Sequence, residues 1–174
     1  MCQHLKKDIC ALKARGVGFS EIAASLGARM YTVVRNSKTM YLASQESFLL
    51  GNGVLQKVWD VLEILNQDTE GALRHASMKK KEPLWRRASM VDRQGQELKN
   101  SFKSEIFGTI VTNPRKVRGV RLEWLLFEES GSFPKLITTY NQCEALVTVQ
   151  GKRTGTRILW GKKTNFPKEN ILSR

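Results

Sequence analysis

The chain has 174 residues, 41% of them hydrophobic, and a formal net charge of +13, so it can bury one sizeable core and favours a polyanionic partner such as nucleic acid. No apolar run approaches the roughly 20 residues of a membrane span, and the opening residues 1–8 lack the apolar core of a signal peptide; the expectation is no membrane and a cytoplasmic address. Cys2, Cys10 and Cys143 form no CxxC pair, and His4 and His75 have no ligand spacing, which argues against a disulfide framework or a zinc site.

In chain order, residues 8–13 predict a short buried strand carrying Cys10 as a small apolar side chain. A loop bearing Gly16 and Gly18 leads to a helix capped by Ser20, with Ile22, Ala23, Leu26 and Met30 on one face. Residues 38–43 predict a second strand. After Gly51 and Gly53, residues 54–66 predict a helix whose stripe includes Val54, Val58, Val61 and Leu65. Residues 67–83 are polar and predict a looser helix and loop. Strands follow over 84–91 and 101–107, with a turn at Gln94-Gly95. Trp59, Trp85 and Phe107 read as core. A strand over 124–127 drives into Glu128 and Glu129, Pro134 opens a helix running to about Val147, and residues 156–160 form a last strand. Strands alternating with helices predict an α/β fold with a mostly parallel sheet flanked by helices. Basic residues cluster at 79–81, at Arg86-Arg87 and at 115–118, each a solvated face when taken singly.

Paired acids at the end of a buried strand are how phosphate-transferring motors hold Mg²⁺ and position the attacking water. Neighbouring side chains on a strand point to opposite faces, but past the last paired residue the chain turns and both acids can reach one mouth. The plainer reading is a core strand ending in a solvated acidic turn.

Residues 12–35 admit two readings. In one, strand, glycine loop and helix start form a phosphate cradle, because free amides at a helix start point at the anion. Phe19 stands where the usual lysine would precede Ser20. Lys13 would then supply the charge, Ser20 would ligate Mg²⁺, and Arg15 would neutralise charge developing on the γ-phosphate. In the other, residues 12–35 are a helix-turn-helix of a non-enzymatic DNA-binding protein, with 21–23 in the first helix, Gly27 in the turn and 32–35 in the recognition helix.

Three blocks together resemble the ATPase domain of the large terminase subunit of tailed bacteriophages: residues 12–20, with a deviant Walker A at 13–20 whose lysine stands at the loop start, residues 36–44 through 53–59, and residues 113–119 followed by 125–134, with the Walker B at 124–129. The resemblance spans residues 8–161 and implies a P-loop NTPase-like fold, incomplete at both ends, over 1–161 with a divergent tail at 162–174. It implies a motor that hydrolyses ATP with Mg²⁺ to package double-stranded DNA, as a homo-oligomeric ring with a portal protein and a small terminase subunit as partners. Carried over by position, Lys13, Arg15, Gly16, Gly18 and Ser20 would bind ATP. Ser20 and Glu128 would hold the metal, Glu129 would polarise the attacking water, and Arg15 would stabilise the transition state. Glutamate at 128 is one methylene longer than aspartate, so its metal contact would run through water. The segment before the loop and the nuclease domain are missing from the match, which reads as a truncated prophage copy with no nuclease activity, marginal solubility and weak or no turnover.

Overall fold

Residues 7–14, 16–70, 83–88, 94, 96, 98–113 and 119–162 are described by the computed structural model of the chain. The expected looser helix over most of 67–83, the basic residues at 79–81 and 115–118, Gly95, the tail beyond 162 and Arg15 lie outside the described residues.

The apolar runs become strands of one sheet. In chain order the elements are β1 (Ile9–Lys13), α1 (Phe19–Val33), β2 (Lys38–Ala43), a single turn at Glu46–Phe48, α2 (Val54–Asp68), β3 (Trp85–Arg87), β4 (Glu105–Ile110) and β5 (Trp124–Phe127). A second single turn at Ser130–Ser132 then leads to α3 (Leu136–Gln142), α4 (Glu144–Val147), β6 (Thr148–Val149), β7 (Lys152–Arg153) and β8 (Thr156–Lys162). The six-stranded sheet has the order β1-β8-β5-β2-β4-β3 and is parallel except for β3, which runs antiparallel to β4. This is the mixed α/β fold with a mostly parallel sheet that the sequence predicts.

A parallel sheet is covered on both faces, so its central strands lose the apolar-polar alternation. All four residues of β5 are buried for this reason. Alternate residues still face opposite layers. Trp124, Leu126, Ile158 and Trp160 pack with α1 and α2, whereas Leu125, Phe127 and Leu159 pack with Leu136, Leu146 and Val147.

The structure corrects several expectations. The helix expected over 134–147 starts at Leu136 and is split at Cys143, where Arg157 Nη1 takes the Tyr140 carbonyl and the Leu146 amide closes a tighter turn onto Cys143 O. It ends at Val147 as expected, its last carbonyls taken by the amides of Leu122, Thr154 and Gly155. Strand β4 starts four residues later than expected; Lys103, at φ 60°, interrupts the extended backbone ahead of it. The hairpin β6–β7 turns through Gln150 and Gly151, both at positive φ, the geometry a two-residue hairpin loop requires. Cys10 is exposed, not buried. Trp59 is buried as expected, while Trp85 and Phe107 are only half-buried.

The helix-turn-helix reading is overturned. Leu12 and Lys13 lie in β1, and α1 runs unbroken from Phe19 to Val33 through the supposed turn at Gly27. Gly27 is there for packing. A Cβ at that position would stand 2.1 Å from Tyr41 Oη, whose hydroxyl donates to Ala23 O at 2.7 Å and ties β2 to α1.

At the amino end of the sheet, the edge strand β1 is clamped by an ion cluster built around the buried Arg157. Arg157, 4% exposed, donates to Asp8 through Nε at 3.0 Å, Nη2 at 2.6 Å and its backbone amide at 3.1 Å. Its Nη1 donates to Tyr140 O at 2.9 Å, Nη2 meets Glu144 at 2.8 Å, and its guanidinium lies over the Tyr140 ring. Arg153 and the Tyr140 hydroxyl also bond Asp8. Asp8 and Arg157 stand one step before the paired residues Ile9 and Ile158, so this cluster sets the β1–β8 register from outside the ladder.

Candidate functional site

Open parallel sheets bind ligands beyond the carboxyl ends of their strands, and three adjacent strands here end in charged residues. On β1, Ile9, Ala11 and Lys13 share the α1 face by alternation. The loop that follows reverses through Gly16 (φ 76°) and Gly18 (φ 70°); no atom lies within 4 Å of a Cβ at either, so backbone conformation, not crowding, selects glycine. Gly18 caps α1 without a side-chain bond, and its carbonyl receives the first helical bonds from Glu21 and Ile22. The amides ahead of that point belong to the open helix end, the part suited to an anion.

On β5, the Glu128 amide still donates to Leu42 O at 2.8 Å, which continues the strand by one residue. Alternation then directs the Glu128 side chain to the α1 face. Glu129 would point away, but its backbone turns left-handed at φ 45°, ψ 56°. The turn is held by Ser130 Oγ donating to Phe127 O and by Ser132 Oγ donating to Glu129 O. The outcome is convergence: Lys13 Nζ lies 3.0 Å from Glu129 Oε1, and Ser20 Oγ donates to Glu128 Oε1 at 3.2 Å.

A cavity of about 330 Å³ opens between these groups; Lys13, Gly16, Ser20, Glu128 and Glu129 all line it, with the start of α2 at Gly53 and Val54 forming a wall. That second helix start is a closed surface, since the amides of Leu55 and Gln56 are already taken by Leu49 O. Of the predicted residues, Gly18 caps α1 without lining the cavity, and Arg15 lies outside the described residues. Sequence reasoning missed Ser132 and Lys162, which also line it. By resemblance Lys162 opens the divergent tail; extending the alternation of Ile158 and Trp160 by one step finds it. Another cavity, of about 160 Å³ beside Asn113 and Lys135, contains no carboxylate.

Electrostatically the site is strained. Burial pushes the Glu128 carboxyl up to about 7; the Lys13 charge and the Ser20 hydrogen bond pull it down, Glu129 pushes it up, and the Trp160 indole, near Glu128 but outside hydrogen-bond geometry, favours the ionised form. Glu128 Oε2 and Glu129 Oε2 are both buried without a hydrogen-bond partner, an arrangement costing about 1–3 kcal/mol per group unless something fills it. A hydroxyl and unpartnered carboxylate oxygens are the hard donors Mg²⁺ takes. Among the described residues no group of three His, Cys, Asp or Glu could hold a metal alone. Mg²⁺ is usually held by one or two carboxylates with phosphates and water completing its shell, and Glu128 with Ser20 could supply the protein's share.

The raised Glu128 value has a stability consequence. The folded chain keeps this proton between pH 4.5 and about 7 while the unfolded chain has released it, so stability falls as pH rises through that window. The loss is about 3 kcal/mol. Glu128→Gln is expected to remove this slope and to be the more stable chain at pH 8, measured by urea unfolding at pH 5 and pH 8. An unchanged slope in the variant would refute the buried-carboxylate account.

No protein-family model matches the sequence, and no curated protein matches it. Solved structures do. The large terminase of a thermophilic bacteriophage aligns over 90% of this chain and 34% of its own, with a TM-score of 0.53 and 12% identity. The HK97 bacteriophage large terminase aligns over 90% of this chain and 29% of its own, with a TM-score of 0.52 and 12% identity. The thermophilic phage protein in complex with ADP aligns over 90% and 33%, with a TM-score of 0.50 and 13% identity. At such identity the likeness is one of fold: the chain has the fold of these large terminases over about a third of their length. Among the described residues, no helix is long and apolar enough to cross a membrane.

Proposed function

We propose that the chain binds ATP with Mg²⁺ in the cavity at the carboxyl edge of its sheet and hydrolyses it, as the ATPase module of a large-terminase motor that packages double-stranded DNA. The observation that carries this reading is the convergence of Lys13 and Ser20 with Glu128 and Glu129, more than a hundred positions away in the chain. The fold likeness to large terminases, one of them solved with ADP, supports it.

In this reading the loop amides between Gly16 and Ser20 and the ammonium of Lys13 hold the phosphates. Ser20 Oγ and Glu128 hold the metal. When bound, Mg²⁺ neutralises charge on the phosphate oxygens. The extra methylene of Glu128 lets its carboxylate reach the Ser20 hydroxyl directly. Glu129 accepts a proton from the attacking water, and its carboxylate must first part from Lys13, which the phosphates compete for. Arg15, on the loop, stabilises charge in the transition state. The excess of basic residues supports DNA as the polyanionic partner. A ring on a portal protein, with a small terminase subunit, completes the proposal.

The test is titration of the purified chain with a fluorescent ATP analogue (mant-ATP), with and without Mg²⁺. Binding is expected to need Mg²⁺, and Lys13→Ala to weaken it by roughly ten- to a hundredfold, the worth of one charge-assisted bond. A variant that binds as tightly as the parent would remove Lys13 from the phosphate site. No binding by the parent would end the nucleotide reading.

A further inference from the structure

We infer that Lys162 is a second phosphate-binding cation of this pocket, taking the place of the lysine that would ordinarily precede Ser20. The inference rests on the nucleotide reading above and deepens it. It starts from register. Lys162 is paired with Lys13 across β1 and β8, so the two residues stand side by side at the carboxyl end of adjacent strands.

Alternation fixes the face. Ile158 and Trp160 on β8 pack into the α1 and α2 layer, as do Ile9 and Ala11 on β1. Lys162 and Lys13 continue these two rows one step further, beyond the cover of the core and into the cavity that both line. The Trp160 ring packs at a tilt against Phe19 at the start of α1, 5.4 Å between centroids, so the β8 row runs beneath the open helix end. Lys162 also lies between the strand bearing Lys13 and the strand that delivers Glu128 and Glu129.

Charge supplies the need. The Lys13 ammonium is engaged by Glu129 at 3.0 Å, and Glu128 adds a second carboxylate to the same space. Without Lys162 the lining would set one lysine against two carboxylates; Lys162 brings the side-chain charge to balance and adds a cation not engaged by Glu129. Among the described residues Lys162 has no ion-pair partner, so its charge is unspent. Phosphates held by Lys162 and the loop amides would also draw Lys13 toward them and release Glu129 for the attacking water. The ordinary loop lysine does both jobs from one position; here they are divided between two strands.

The test uses the full chain, with mant-ATP and mant-AMP in the presence of Mg²⁺. Lys162→Gln is expected to weaken mant-ATP roughly ten- to a hundredfold and to leave mant-AMP within a few-fold, because the lost contact is to the outer phosphates. Lys162→Arg should restore most of the affinity. Lys152→Gln, an exposed lysine on β7, controls for net charge and should change nothing. If the parent binds mant-ATP and Lys162→Gln binds it equally, the inference fails while the nucleotide reading stands. If Lys162→Gln weakens both probes alike and Lys162→Arg does not rescue, the residue is structural and the inference is again overturned. A parent chain that binds neither probe removes both.

Discussion

Glu129→Gln is expected to slow single-turnover phosphate release from ATP by roughly 100- to 10,000-fold, the span associated with losing a positioned general base, while mant-ATP affinity holds or rises. Glutamine keeps the size of the side chain, and the left-handed backbone at φ 45° is as demanding of glutamine as of glutamate. The carboxylate that accepts a proton is lost, and Lys13 keeps at most a neutral hydrogen bond where it had an ion pair at 3.0 Å. Binding and turnover should therefore move apart. If affinity falls in step with turnover, Glu129 is a brace for the loop; if release is unchanged, the residue only restrains Lys13. A parent chain that binds ATP but releases no phosphate would leave the site as a nucleotide-binding element without chemistry.

Asp8→Ala is expected to cost about 1–3 kcal/mol of folding stability, the range for leaving a buried polar group short of a partner, because Arg157 is buried while Asp8 itself is part-exposed. Arg157 is 4% exposed, and deleting the carboxylate strips its Nε and backbone amide of their partner and leaves Nη2 with only Glu144. The double variant Asp8→Ala, Arg157→Met should be milder than Asp8→Ala alone, because no uncompensated charge remains buried. Urea unfolding of the three chains decides it; a double variant worse than the single one would contradict the argument. Burial pushes the Asp8 carboxyl up, but hydrogen bonds from Arg157 and Tyr140 and the Arg157 charge outweigh it and hold the carboxyl below its ordinary 3.8. This contribution is therefore present above that value and lost as pH falls through the lowered one, opposite in sign to Glu128. Because the cluster sets the β1–β8 register, Asp8→Ala should also weaken nucleotide binding from the far end of the strand.

How much of this was legible in the sequence depended on how local the signal was. Strand β2 fell on residues 38–43 as expected and α2 ran two residues past its expected end, since apolar run length and helical spacing are properties of contiguous residues. The paired acids after β5 and the glycine loop before Ser20 were likewise readable, and they pointed to the same chemistry. The split of the helix at Cys143 was not, because it lies where Arg157, from a distant strand, takes the Tyr140 carbonyl. Nor could periodicity choose between a helix-turn-helix and a strand, loop and helix over residues 12–35. That choice was made by the Tyr41 ring seated on Gly27 and by β1 pairing with β8.

The sequence by itself determined the residue types at the site, the α/β alternation and the charge of the chain, all of which are written in short stretches. The tertiary structure alone decided that Lys13, Lys162 and the two glutamates meet. Strand order and register place β8 between β1 and β5, and a single left-handed residue turns Glu129 onto the face of Glu128. Convergence of side chains so far apart in the chain is fixed by long-range pairing and packing, which no local pattern encodes.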